Sequence, residues 1–149
     1  MYHGRMSTED IQRRAKLLAE FFGHAPMKKT FGMELSFSEE GNAIFEMPFM
    51  EPLCHALKDT HGGAIATLID NAGWFTAATR YDTWISTSEM TVRLHEPAHR
   101  EDLYASGKIV RAGKRMCSTT MEVKTKEGRL VATGAGTFVV STLAVTPAQ

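Results

Sequence analysis

The sequence predicts an α+β fold in which a largely antiparallel sheet curls around one long buried helix. Residues 61–80 favour helix and carry apolar or small side chains on nearly every face. Most of the chain after this stretch alternates with a period of two, and tight turn signals separate the alternating runs. A helix that is apolar all round must be covered by other elements, and a curled sheet is the cover that the rest of the chain offers.

Length and charge limit the functions to consider. The 149 residues fit one domain, 1–149, with a helix and lead-in over 1–29 and a loose tail over 143–149. The 17 basic and 17 acidic residues cancel, which argues against nucleic acid or an anionic membrane as a partner. The first residues lack the apolar core of a secretory signal. We therefore expect a reducing cytoplasmic setting with free thiols, and no metal or cofactor.

The chain before the long helix predicts one helix and two strands. Ser7 and the acids after it are typical of a helix start, and apolar residues recur at helical spacing to about Phe22. Gly23 and Pro26 should end this helix. Strands are expected over 31–37 and 43–49, and an irregular segment over 51–60.

Four strands are expected after the long helix, over 84–94, 103–110, 116–125 and 130–140. Strict alternation in the first of them places Ser88, Met90 and Val92 on one face, turned towards the helix. Chain order and hairpin-length connections together predict helix, two strands, long helix and four strands. The long helix is too short and too polar to span a membrane.

His61, Gly62 and Gly63 lie where a loop enters the long helix. The first N–H groups of a helix have no partner inside it, and glycine allows a ligand to approach them closely. Such a turn can stabilise the oxyanion that develops on an attacked carbonyl. Glycines at a helix start also occur for structural reasons alone, and the turn by itself does not decide between the two.

Asp70 is the one formally charged residue within the apolar part of the helix. It follows Gly62 by eight residues, or about 12 Å along the axis, too far for both to act on one carbonyl. Joint action therefore requires an antiparallel second copy, which predicts a homodimer with two shared sites. The alternative is a structural acid that bonds a hydroxyl or Asn71.

Other polar residues carry weaker signals. Ser88 would be able to position a water beside Asp70, although a strand serine more often bonds only backbone. Cys54 and His55 are neighbours in sequence, which does not make them a thiolate pair in space. His95 and His99 flank Pro97, and nothing distinguishes them from surface histidines.

Several motifs resemble the hotdog-fold thioesterase superfamily, in particular acyl-CoA thioesterases of the phenylacetate-pathway and hydroxybenzoyl-CoA type. The resemblance covers residues 30–140. It rests on motifs that follow in the family's order: His61-Gly62-Gly63, Leu68-Ile69-Asp70-Asn71, Ser88-Glu89-Met90-Thr91, Glu96-Pro97-Ala98 and Arg111-Ala112-Gly113-Lys114.

The resemblance implies a role for each matched residue. Asp70 is expected to act as general base on water or as nucleophile, while the Gly62 N–H polarises the thioester carbonyl and His61 fixes that turn. Ser88 matches a residue that positions water in some members. His55 stands where relatives usually have Asn or Gln, and its imidazole is also able to donate a hydrogen bond.

A CoA substrate would bring phosphates to the surface. By family analogy Arg111, Lys114 and Arg115 at the glycine turn would bind these phosphates. The alternative is that the three side chains form a solvated hairpin tip. Gly63 at the helix start is also expected to contact the substrate. The apolar surroundings of Trp74, Phe75 and Trp84 indicate an acyl or aryl pocket, or core packing.

The leading hypothesis is therefore an acyl-CoA thioesterase that acts as a homodimer. The sequence leaves open whether dimers pair into tetramers. A non-catalytic acyl-CoA-binding hotdog protein is the alternative. A hydratase is disfavoured, because that group usually carries a catalytic histidine in a different helix-start pattern.

Overall fold

One 17-residue helix, Gly62–Ala78, forms the centre of the fold, and a six-stranded sheet packs against it. The computed structural model describes residues 6–145. Twelve of the helix residues are buried, which agrees with its apolar character on nearly every face. The predicted α+β class and the long central helix are both confirmed.

The sheet is antiparallel throughout and has the strand order β1-β2-β4-β5-β6-β3. Its strands are β1 (Glu34–Phe37), β2 (Ala43–Met47), β3 (Thr83–Leu94), β4 (Leu103–Ala112), β5 (Met116–Thr125) and β6 (Leu130–Ala144). The strand directly after the central helix, β3, lies at one end of the sheet and pairs only with β6 among the described strands. One edge of β3 is therefore unpaired within residues 6–145.

The first helix, α1 (Thr8–Gly23), confirms the predicted N-terminal helix. The Ser7 hydroxyl accepts a hydrogen bond of 3.1 Å from the Asp10 N–H and so caps the helix. The apolar stripe packs into the core, and Phe22 lies edge-on to Phe45 and Phe75 at centroid distances of 5.1 and 5.4 Å. Helix α1 therefore packs on the core beside Phe45 of β2.

A short helix, α2 (Pro26–Phe31), was not predicted. Pro26 begins this helix, because proline lacks only an N–H that the first helical turn leaves unbonded anyway. Gly32 ends it in the left-handed conformation, with φ 66°. The expected strand over 31–37 therefore begins only at Glu34.

The central helix, α3 (Gly62–Ala78), approaches the sheet closely where a strand residue has no side chain. A Cβ added to Gly107 on β4 would lie 2.5 Å from the Ala72 carbonyl oxygen, and one on Gly134 of β6 would lie 2.6 Å from Ile69 Cγ2. These contacts fix the distance between the helix and the sheet, and with it the position of the residues on α3.

The C-terminal strand is longer than expected, because β6 continues to Ala144 and so includes Leu143 and Ala144 of the predicted loose tail, with Val145 following the strand. The rest of that tail, over 146–149, and the first five residues lie outside the described part. The assignment of 1–149 to a single domain stays a prediction. No helix in the described chain is long and apolar enough to cross a membrane.

Candidate active site

The first turn of α3 leaves one backbone donor unused. His61 precedes the helix with an extended backbone, and its Nδ1 accepts the Gly63 N–H at 2.8 Å. Its carbonyl oxygen accepts from Ala64 and Ile65 at 2.9 and 3.2 Å. Within residues 6–145 the Gly62 N–H has no hydrogen-bond partner. The histidine therefore caps the turn, and the Gly62 N–H remains available to an external acceptor.

Asp70 lies two turns further along α3 and is half-buried. The Thr87 hydroxyl on β3 donates a hydrogen bond of 2.9 Å to Asp70 Oδ1. Burial raises the pKa of the Asp70 carboxyl above its usual range, and the bond from Thr87 partly opposes this rise. The side-chain amide of Asn71 instead donates to the Thr67 carbonyl oxygen at 2.9 Å. Asp70 therefore has a hydroxyl partner, as the structural alternative required, yet it keeps a raised pKa typical of functional acids.

The prediction that Ser88 points at the helix is wrong, because β3 contains a bulge. Thr87 pairs with Phe138 and Glu89 with Thr137, so Ser88 is an extra residue without its own partner. The bulge shifts the alternation by one: Ile85 and Thr87 face α3 before it, whereas Met90 and Val92 pack on the core after it. Ser88 is exposed. The sequence missed Thr87, since alternation alone gives no sign of an inserted residue.

His55 lies on a loop that leads from β2 to α3. A single antiparallel bridge joins Cys54 to Thr60 at the base of this loop. The Leu57 N–H donates to His55 Nδ1 at 3.1 Å, so the neutral ring carries its proton on Nε2. The imidazole can then donate a hydrogen bond from Nε2. Cys54 Sγ is directed at the Met50 carbonyl oxygen, 3.5 Å away, and no contact joins it to the His55 ring in the described chain.

An apolar depression of about 290 Å³ opens beside the first turn of α3. The residues that line it come from the end of α2, the segment before the His55 loop and the start of α3: Phe31, Pro52, Leu53, Cys54, His61, Gly63 and Ala64. It therefore lies next to the free Gly62 N–H.

The expected pocket around Trp74, Phe75 and Trp84 is filled by these side chains themselves. The Trp74 ring centroid lies 4.8 Å from that of Phe75 and 4.9 Å from that of Trp84. The Trp74 Nε1 donates to the Ile85 carbonyl oxygen at 2.8 Å. Core packing, the alternative reading of these aromatic residues, accounts for them.

The basic hairpin lies at the far end of α3 from Gly62. Arg111, Lys114 and Arg115 are all exposed at the turn between β4 and β5. The Tyr81 hydroxyl donates to the Gly113 carbonyl oxygen at 2.8 Å and so joins this turn to the C-terminal end of α3. Since the helix is about 25 Å long at 1.5 Å per residue, the hairpin and Gly62 of one chain cannot share a small ligand.

Histidine, cysteine and acidic side chains form no group of three able to hold a metal ion anywhere in residues 6–145. The polar groups that the structure places at the site are a carboxylate, a backbone N–H and imidazole rings.

A sequence profile of the thioesterase superfamily matches residues 57–132. The chain belongs to the thioesterase superfamily. The matched residues include the glycine turn, Asp70 and Thr87. Membership of the superfamily identifies this thioesterase-superfamily protein as a hydrolase of the thioester or ester class. The hotdog fold implied by the sequence motifs is confirmed.

Two relatives agree with this assignment, and a solved structure agrees with the fold. A provisionally named esterase of Saccharolobus solfataricus is 29% identical over 103 residues, which cover 68% of this chain and 74% of the relative. A provisionally named esterase of Halobacterium salinarum is 27% identical over 148 residues, covering 91% and 97%. The E. coli PaaI protein, from the phenylacetic acid degradation operon, superposes with a TM-score of 0.82 at 18% identity, covering 93% and 99%. At that identity the last comparison speaks for the fold alone.

Proposed function

We propose that this thioesterase-superfamily protein hydrolyses acyl-CoA thioesters to the free acid and CoA. With Asp70 as general base, water attacks the thioester carbonyl, the C–S bond breaks, and the CoA thiolate leaves and is protonated. With Asp70 as nucleophile, its carboxylate attacks the carbonyl and displaces the CoA thiolate, and water then hydrolyses the resulting mixed anhydride. In both cases the Gly62 N–H donates to the developing oxyanion. The observation that carries the proposal is that α3 presents both an unused N–H at its start and a half-buried carboxylate with a raised pKa.

These two groups belong to different subunits of a homodimer in this proposal. About 12 Å of helix separates them within one chain, whereas they must both lie within about 3 Å of the reacting carbonyl and water. The unpaired edge of β3 supports the arrangement. If β3 of a second chain paired with this edge, Thr87 and the Asp70 carboxylate bonded to it would lie close to the two-fold axis.

Three further side chains assist in this scheme. His61 keeps the Gly62 N–H free by capping Gly63 instead. Thr87 orients the Asp70 carboxylate and, in the proposed scheme, takes the place expected for Ser88 beside it. His55 is proposed to donate from Nε2 to the carbonyl oxygen or the water, as Asn or Gln would.

The substrate is proposed to lie across both chains. The acyl group occupies the apolar depression beside Gly63, while the CoA phosphates reach Arg111, Lys114 and Arg115 of the other chain. In the proposed antiparallel pair of α3 helices, the C-terminal end of one helix, with its hairpin, would lie towards the N-terminal half of the other. Free thiols at Cys54 and Cys117 fit the proposed reducing cytoplasmic setting.

The first test measures free-thiol release from a panel of aliphatic and aromatic acyl-CoAs. We expect turnover by the wild type and a loss of about 10²- to 10⁴-fold in kcat for Asp70→Asn, the range typical of a removed general base. Full activity of Asp70→Asn would remove Asp70 from the mechanism. Tight CoA binding without turnover of any substrate would favour the non-catalytic binding protein.

A mixed dimer tests the shared site directly. In a dimer of one Asp70→Asn chain and one His61→Ala chain, one site receives both intact residues and the other receives both altered ones. We expect about half the wild-type activity in the purified mixed dimer and very little in either homodimer. If each site were built within one chain, both sites of the mixed dimer would be damaged and the activity would stay low.

A further inference from the structure

A polar contact outside the proposed machinery holds the loop that carries His55. Asp59 Oδ1 and His99 Nδ1 lie 2.8 Å apart and join this loop to the segment after β3. Neither residue touches the helix start or Asp70 in the contacts of the described chain. We propose that Asp59 and His99 are positioning residues that fix His55 for catalysis; this inference rests on the proposed thioester hydrolysis.

Asp59 connects directly to His55 through the backbone. The His55 N–H donates to the Asp59 carbonyl oxygen at 3.0 Å, and the Lys58 N–H donates to the His55 carbonyl oxygen at 2.8 Å. These two bonds and the Leu57 N–H on the imidazole close a tight turn around His55. A movement of Asp59 therefore moves the backbone and the ring of His55 together.

His99 lies on a segment that is itself firmly attached to the sheet. Arg129, just before β6, donates to Glu96 at 2.6 Å and to the Pro97 carbonyl oxygen at 3.3 Å, and it also bonds Glu101. Ala98, next to His99, is only 1% exposed. The segment can therefore serve as the fixed support against which Asp59 is held.

The tip of the His55 loop depends on this pair. The Thr60 N–H donates to the Ala98 carbonyl oxygen at 3.2 Å and attaches the base of the loop. Beyond the base, Leu57 is 84% exposed and Lys58 has a left-handed φ of 70°. The Lys58–Glu51 ion pair joins two exposed side chains seven residues apart and does not reach the sheet. Among the contacts within residues 6–145, Asp59–His99 is thus the side-chain contact that ties the tip to the rest of the fold.

The test compares Asp59→Ala, Asp59→Asn and the control Glu51→Gln, which removes an ion pair from the same stretch of chain. We expect Asp59→Ala to lower kcat about tenfold with KM within about twofold, the pattern of a displaced catalytic donor. Asp59→Asn keeps an acceptor oxygen for His99 Nδ1–H and should recover most of the rate. Glu51→Gln should behave as wild type.

Ring nitrogen shifts of ¹⁵N-labelled histidine give a readout that needs no activity. The His55 signals, identified with a His55→Asn variant, should show the Nε2–H tautomer in the wild type and in Asp59→Asn, and a shifted, mixed population in Asp59→Ala. Unchanged kcat and unchanged His55 signals in Asp59→Ala would overturn the positioning role. A wild type that hydrolyses no acyl-CoA would refute the proposed function, and the ring signals would still show whether Asp59 fixes His55.

Discussion

The Thr87 hydroxyl donates a hydrogen bond of 2.9 Å to the Asp70 carboxylate and thereby joins the edge strand to the central helix. The bond stabilises the ionised form of an acid that burial pushes towards its neutral form. The bulge at Ser88 makes this contact possible, because it turns Thr87 and not its neighbour towards α3. A strand irregularity thus decides which hydroxyl adjusts the candidate catalytic acid.

Thr87→Val should shift the acid limb of the pH profile. Removing the hydroxyl leaves the burial effect unopposed, so the pKa of Asp70 rises further and the active carboxylate is lost at higher pH than in the wild type. The bond from Thr87 favours the ionised form of Asp70, so its loss moves the acid limb to higher pH. The measurement is kcat/KM against pH. Ser88→Ala is the matched control, and an equal shift in both variants would contradict the assignment of Thr87.

Asp70→Asn should stabilise the protein while it removes activity. The folded protein holds the Asp70 proton more tightly than the unfolded chain, whose carboxyl titrates near 3.8. Stability that this group contributes at low pH is therefore lost as the pH rises through the raised folded-state pKa. Asparagine does not titrate, so its Tm advantage over the wild type should be small at pH 3.5 and larger at pH 7. A Tm difference that shrinks as the pH rises would contradict this prediction, because it would mean that folding stabilises the ionised carboxylate of Asp70.

Gly107→Ala should destabilise the fold by wedging β4 away from α3. The new methyl would lie 2.5 Å from both the Ala72 carbonyl oxygen and Thr76 Oγ1, and a helix backbone cannot move aside cheaply. Overpacking of this kind costs about 1–3 kcal/mol in the free energy of unfolding. Gly23→Ala is the control, because no atom lies within 4 Å of its added Cβ. Urea unfolding of both variants measures the difference, and equal midpoints would mean that the helix–sheet distance is not fixed at Gly107.

The two cysteines should differ sharply in reactivity. Cys117 is fully buried, and burial raises its pKa to about 11, so almost no thiolate forms at neutral pH. Cys54 is half-buried and lines the depression beside α3. We expect a thiol reagent to label one group per native chain and two after unfolding, with the native label absent in Cys54→Ser. Rapid labelling of Cys117 in the native protein would indicate that the core opens readily.

The sequence predicted the central helix and the six strands along the chain because both depend on local patterns. Apolar side chains on nearly every face mark α3, and the alternation of buried Met121 and Val123 with exposed Glu122 and Lys124 marks β5 as expected. Proline disfavours helix interiors, so Pro26 predicts the end of α1, yet the same residue suits the first turn of α2.

Contacts between distant segments were beyond the reach of sequence patterns. Thr87 reaches Asp70 only because of the bulge, and His99 meets Asp59 forty residues away in the chain. Nothing in the neighbourhood of His99 distinguishes it from a surface histidine. The positions of the glycine turn and Asp70 were accessible from spacing on one helix, whereas the partners that adjust them depend on tertiary structure.

The free edge of β3 within residues 6–145 also bears on how the protein assembles after synthesis. β3 has twelve residues, and one row of its backbone groups is unpaired within residues 6–145. Such an edge can add any extended segment that meets it, including the edge of an unrelated protein. In the proposed homodimer a second copy covers this edge, so a newly made chain would have to meet its own copy before other strands pair there. Since such pairing is bimolecular, the yield of properly assembled protein should depend on the rate of synthesis and on chaperone supply as much as on the stability of the folded chain.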